Sequence, residues 1–254
     1  MRTAWLLALL LPFAAAAGDG RYVSVPAGTI RSALAYEDIV DAVEVAPFAM
    51  RERPVTNAEF LAFVAANPQW RRDRAAKALV DERYLGHWQG PLTPGEARGG
   101  QPATQVSWFA AAAYCASESA RLPTWSEWEY VAAADETRRD ARRDPAWRER
   151  ILAWYSRPSD SALPRVGLQA PNAYGVQDIH GLVWEWTEDF SSLLVSSDNR
   201  NQGDPDNTRF CGAGALSMRD RDNYAVLMRV AMLSSLSARS TTANLGFRCV
   251  RSLP

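Results

Sequence analysis

Asn172-Ala173-Tyr174-Gly175-Val176-Gln177-Asp178-Ile179-His180-Gly181-Leu182-Val183-Trp184-Glu185-Trp186-Thr187 is the stretch that says most about this chain. Its first half is punctuated by Asn172, Gly175 and Gly181, residues that break regular structure and make turns. Its second half ends in Trp184-Glu185-Trp186, an alternation at strand spacing that puts both indoles on one face and Glu185 on the other. The chain has 10 tryptophans, several in close groups: Trp184 with Trp186, and Trp125 with Trp128. Indoles in such groups read as core filler in a domain with little regular structure. An aromatic binding groove is the alternative.

Outward from this stretch, short elements can be placed. Tyr22–Pro26 and Val43–Met50 read as strands from their β-branched and apolar content. Thr56-x-x-Glu59 is a capping box ahead of Phe60, Leu61, Phe63 and Val64, and predicts a helix start. Gly90–Gln101 is a Gly- and Pro-rich loop. Ser107 can cap a helix running through Ala110–Ala120. Thr124-x-x-Glu127 is a second capping box, after which Trp125, Trp128 and Val131 recur every three residues. Beyond about Pro145, turn-formers break the helical period, and Asp198–Asn207 is a polar loop. No internal repeat occurs.

Composition restricts the function classes. Of the 254 residues 47% are hydrophobic and 22% charged, an ordinary globular balance, and the formal net charge of −1 gives no electrostatic footprint for a phosphate backbone. Nucleic acid is therefore not an expected partner. The arginine groups Arg71–Arg74 and Arg138–Arg150 are interleaved with acids and read as solvated faces. Arg2, the apolar run Ala4 to Phe13 and the alanines before Gly18 form a signal-peptide pattern. The run is about half of the roughly 20 apolar residues that a membrane span requires. The expectation is a signal peptide over 1–17, a single domain over 18–254, and a periplasmic or secreted product with no membrane span after cleavage.

Cys115, Cys211 and Cys249 are odd in number, so at most one internal disulfide forms. With only His87 and His180, a multi-histidine metal site is excluded, and no GxSxG elbow supports a serine nucleophile. His180, with no second imidazole partner, reads as a structural histidine.

Several blocks in chain order carry a resemblance. They are Pro54-Val55-Thr56-Asn57-x-x-Phe60, Gln105-Val106-Ser107-Trp108, Ala112-Ala113-Tyr114-Cys115 and Arg121-Leu122-Pro123-Thr124-x-x-Glu127-Trp128-Glu129-Tyr130. The segment from Asn172 to Thr187 and Asn244-Leu245-Gly246-Phe247-Arg248-Cys249 complete the set. Together they resemble the sulfatase-modifying-factor family, whose founding activity is formylglycine generation. The resemblance implies a compact α+β fold of the formylglycine-generating-enzyme type, a variant of the C-type lectin fold. It also implies a disulfide between Cys115 and Cys249, and a structural calcium ion held by Asp178, Gly181, Val183 and Glu185. Such a mixture of hard carboxylate and carbonyl oxygens suits calcium.

The departures from the family matter as much. Formylglycine-generating members use two cysteines upstream of the terminal strand to bind copper, because thiolates are soft ligands for Cu(I) and exchange with a substrate thiol. The stretch from Met218 to Met228 contains no cysteine. Formylglycine generation by that route is not expected. Ergothioneine-type sulfoxide synthases resemble the chain only over this domain, their iron depending on histidines of a further domain. A closer resemblance is to exported, cysteine-poor branches. One is the accessory type associated with copper nitrite reductases, which implies a maturation role toward an exported protein. Another is the type that matures the pyoverdine chromophore, which implies oxidation of an exported peptide. A divergent formylglycine-generating oxidoreductase is the third reading. Cys211, Met218, Met228 and Met232 could offer soft ligands to copper, although methionines at helical spacing among apolar residues are more often core filler.

Overall fold

A computed structural model describes residues 20–32, 42–95, 98–156, 162–191 and 224–253. The expected signal peptide, the loop Asp198–Asn207, Cys211 and Met218 lie outside the described residues. The architecture is α+β. Strands β1 (Tyr22–Val25), β4 (Phe48–Arg51) and β7 (Val250–Ser252) form an antiparallel sheet in the order β1-β4-β7, with Tyr22 opposite Arg51 and Phe48 opposite Ser252. Strands β2 (Gly28–Ile30) and β3 (Val43–Val45) make an antiparallel ribbon. The stretch Val43–Met50, expected as one strand, is therefore two. Pro47, which offers no N–H to a ladder, sits where the chain leaves one sheet for the other.

Helix α1 (Asn57–Ala66) begins at the Thr56–Glu59 capping box and α3 (Trp125–Ala132) at the Thr124–Glu127 box, each with both reciprocal bonds formed. Helix α2 (Trp108–Ser117) starts at Ser107, whose side chain accepts from Ala110 N–H. It ends short of the expected Ala120, because Ser119 takes a positive φ of 53° that no helix continues through. Helix α4 (Pro145–Tyr155) corrects the expectation that no helical period survives beyond Pro145. Asp144 caps it, accepting from Ala146 N–H, and Pro145 occupies the first turn, where its missing N–H costs nothing. Helix α5 (Tyr224–Ser234) precedes β6 (Leu245–Gly246).

Two apolar clusters flank the main sheet. One packs Phe60, Trp125, Trp186 and Phe247 around Cys115 and Cys249, which form a disulfide with an S–S distance of 2.03 Å across 134 residues. The other packs Met50, Trp128, Val131, Ile179 and Val250. The parallel pair of β5 (Trp184–Glu185) and β6, with Trp184 opposite Leu245 and Glu185 opposite Gly246, lays the signature segment against the terminal one. Gly246 is required there: a Cβ would lie 2.8 Å from the Ala103 carbonyl oxygen.

Candidate functional site

The strand alternation holds at the backbone but not for burial. Trp186 is fully buried, and its indole N–H donates to the Val106 carbonyl at 2.9 Å. Trp184 is only half-buried and packs against Trp154 of α4, with ring centroids 6.0 Å apart. Glu185, expected to face away from the indoles, is itself 0% exposed. What allows a carboxylate there is Arg248, also 0% exposed, whose Nε donates to Oε1 at 3.0 Å and Oε2 at 2.9 Å. Nη2 of Arg248 donates to Oε1 at 2.7 Å, and the Trp128 indole N–H to Oε2 at 2.9 Å. Arg229 of α5 lies over the Trp128 ring, its Cζ 3.5 Å from the ring centroid, and donates to the Glu185 carbonyl. Burying a charge is costly unless it is paired and hydrogen-bonded, and this one is both.

These contacts bear on the calcium set. An ionised carboxylate offers about four lone-pair positions, and Glu185 already accepts from three N–H groups, Nε (shared between both oxygens) and Nη2 of Arg248 and the Trp128 indole. The Asp178 carboxylate accepts from Gly167 N–H and, at 3.3 Å, Gln169 N–H. Asp178 (φ 57°) and Gly181 (φ 91°) both adopt left-handed backbone, which the short polar side chain and the absent Cβ tolerate. The Gln169 amide, which donates to the His180 carbonyl, lies 2.7 Å from where a Gly181 Cβ would stand. No group of three or more His, Cys, Asp or Glu side chains suited to a metal occurs among the described residues. The four residues named for calcium share one segment, in which the Glu185 carboxylate is bonded to Arg248 and Trp128.

Of the four residues named for copper, Met228 and Met232 are described, one helical turn apart on α5. Met232 packs against the first core cluster and Met228 is 38% exposed. Met232 is thus half-buried beside the core and Met228 lies at the surface.

Beside the segment lies a cavity of about 470 Å³, within the range typical of small-ligand sites. One wall is a single face of α4, on which Trp147, Arg150, Ile151 and Trp154 recur at helical spacing. The facing wall is irregular chain, including Arg165, Gln169 and His180. The His180 ring meets the edges of Trp128 and Trp147, each at 5.7 Å. Its Nε2 lies 2.7 Å from the Ala132 carbonyl, which can only accept, so Nε2 carries the proton. Burial pushes its pKa down to about 4, and the ring is neutral at pH 7. Sequence reasoning missed Arg248, Arg229 and this α4 wall. The Asp144-Pro145 start was the available signal for α4, and an arginine inside Gly246-Phe247-Arg248-Cys249 was the signal for a buried acid.

Residues 12–253 match the family described as sulfatase-modifying factor enzyme 1-like domain. The chain belongs to that family. It is 32% identical to the formylglycine-generating enzyme of Streptomyces coelicolor over 254 aligned residues, covering 84% of this chain and 81% of that protein. It is 27% identical to the inactive Cα-formylglycine-generating enzyme 2 of Mus musculus, over 83% of this chain and 77% of that protein. Among solved structures it is similar to PvdO from Pseudomonas aeruginosa at 20% identity and a TM-score of 0.49, over 93% and 96% of the two chains. The family therefore holds relatives named as active and relatives named as inactive. The chemistry of the site has to be argued from this chain's own residues.

Proposed function

We propose that this member of the family is an accessory or maturation factor that acts on another exported protein, a copper oxidoreductase being the favoured partner class. In this reading it does not generate formylglycine by the paired-thiolate route. The observation that carries the second part is a count. The chain has 3 cysteines, and the Cys115–Cys249 disulfide takes two of them, leaving Cys211 as the one remaining thiol. One thiolate cannot supply both ligands of a two-coordinate Cu(I) site, nor hold the metal while exchanging with a substrate thiol. The mouse relative named inactive supports the view that this fold is kept without that chemistry.

The test has two arms. Purified protein given Cu(I), oxygen and a peptide carrying the sulfatase-type cysteine should leave that cysteine unchanged by mass spectrometry. Aldehyde formation there would overturn the reading. In the second arm an exported copper oxidoreductase from the same cell is produced with and without this chain. Its copper content should fall when the chain is missing and return on complementation. Unchanged loading would remove the maturation role.

A further inference from the structure

Leu85 (φ 49°) and Gln105 (φ 52°) both take left-handed backbone, which residues with a Cβ seldom adopt. They are joined: Leu85 N–H donates to the Gln105 carbonyl at 3.0 Å, and Gln105 N–H to the Thr242 carbonyl at 3.0 Å. Strained backbone persists only where its surroundings over-determine it. Here the surroundings include His87. Its backbone N–H donates to Gln105 Oε1 at 2.9 Å, and its Nδ1 lies 2.9 Å from the same oxygen. A backbone N–H can only donate, so the atom facing it is the amide oxygen, and Nδ1 carries the imidazole proton. Nε2 keeps the lone pair, buried and with no hydrogen-bond partner among the described residues. The charges around the ring are one-sided. Arg72 Nη1 donates to the Leu85 and Trp88 carbonyls at 3.2 and 2.7 Å, and Arg98 Nη1 to the His87 carbonyl at 3.1 Å. The acids nearby in the chain or the fold are engaged elsewhere or face water. Asp81 accepts from the Arg83 and Thr241 N–H groups, and Glu82 is exposed. Glu59 of α1, the helix whose Asn57 accepts from the Trp88 indole, is bonded to Arg51.

We propose that His87 is an acid-sensitive latch, whose protonation releases the Leu85–Trp88 turn from Gln105 and Arg72 and uncovers the Leu85 and Trp88 side chains, 0% and 3% exposed when the turn is closed. In the closed turn a second proton would sit on Nε2, buried without an acceptor and beside two guanidiniums. In the open turn water solvates the charged ring, and the two left-handed residues are free to relax. Burial and then Arg98 and Arg72 lower the His87 pKa, against the bond to Gln105, which raises it. The open turn therefore takes its proton below about pH 6.5 and the closed turn only at lower pH, so opening gains on closing as pH falls through the window between them. Because Gln105 also holds Thr242, just before β6, the release reaches the terminal segment. The latch goes beyond the maturation reading and does not depend on it.

The chain has 2 histidines, so a single variant, His87→Gln, assigns both imidazoles in the full-length protein. NMR titration should place the His87 midpoint below about pH 6.5 and apart from that of His180, which lies near pH 4. Hydrogen–deuterium exchange, corrected for its intrinsic pH dependence, then follows the backbone amides of Leu85–Trp88 and the Trp88 indole N–H. Their opening should rise as pH falls, by about tenfold for each unit that separates the His87 midpoint from 6.5, while the amides of α3 stay protected. In His87→Gln the opening of the turn should no longer depend on pH over this range. Where that substitution disturbs the turn itself, Arg98→Gln supplies the second test. It removes a facing cation and should raise the His87 midpoint and narrow the window, an effect that a purely structural imidazole does not predict. A His87 midpoint at or above about 6.5, turn exchange that ignores pH, or a pH dependence that survives in His87→Gln overturns the latch. So does exchange that rises equally in α3, which would mark global unfolding instead of local release.

Discussion

Replacing Arg248 by methionine removes the cation from the buried centre while roughly keeping its volume. Arg248 touches Glu185 through Nε and Nη2, donates to the Gln177 carbonyl at 3.0 Å, and reaches the Arg51 and Glu52 carbonyls at 3.3 Å each. It therefore ties the end of β4, the signature loop and β5 to one side chain. In Arg248→Met the Glu185 carboxylate stays buried with the Trp128 indole N–H as its remaining side-chain donor. Breaking a buried pair from one side costs about 3–5 kcal/mol, because an uncompensated charge is left in low dielectric. For a chain of this size about 1 kcal/mol moves Tm by roughly 2–4 °C, so a fall of about 6–20 °C follows. Urea unfolding followed by circular dichroism should show a lower midpoint with an unchanged m value. Glu185→Gln should cost a similar amount, for it strands the guanidinium. The double variant Arg248→Met, Glu185→Met should cost less than either single change, since apolar replacement of a whole buried pair is often close to neutral. A loss under about 1 kcal/mol for Arg248→Met, or additive losses in the double variant, would refute the argument that this pair holds the segment.

Three further outcomes are expected. Cys115→Ala with Cys249→Ala should lower stability by about 2–5 kcal/mol, given the long loop the bond closes, and peptide mapping without reductant should find Cys115 joined to Cys249 and Cys211 free. EDTA should leave Tm unchanged within about 1 °C, well under the 2–4 °C that 1 kcal/mol produces. A fall that calcium restores and magnesium does not would mean that Glu185 exchanges Arg248 for the ion. His180 should give an acid-side loss: the unfolded ring takes a proton below about pH 6.5 and the native ring only near pH 4, so the unfolded state binds more protons between them. Stability then falls as pH drops through that window, by on the order of 3 kcal/mol, and is flat below it, whereas a His180→Asn variant lacks the slope.

Local signals in the sequence were legible where one residue decides one bond. Thr56, Ser107 and Thr124 each start the helix they were expected to start, because a capping hydroxyl reaches only its own first turn. The site was less legible, since its members meet only through tertiary packing. Nothing within a few residues of Glu185 says that Arg248, 63 positions later, will consume its lone pairs. The strand alternation at Trp184–Trp186 described the backbone correctly and failed on burial, because buried partners here lie on both faces of β5. The turn-formers beyond Pro145 predict a broken period, although Pro145 behind Asp144 opens a helix of 11 residues.

The segment from Asn172 to Thr187 identifies the family, but its physical role is to be held rather than to react. Glu185 is saturated by Arg248 and Trp128, Asp178 by its own loop, and the Asn172 side-chain oxygen by the Tyr174 and Val176 N–H groups. A sequence change at any of them leaves a buried group unpaired, and this constraint operates whether or not the protein turns anything over. A match to this segment is therefore strong evidence for the fold and weak evidence for an activity. Whether the chain can oxidise a thiol turns on its cysteines rather than on this segment. Cys211 is the single thiol outside the Cys115–Cys249 disulfide. A two-thiolate oxidation needs a pair that the disulfide has already used.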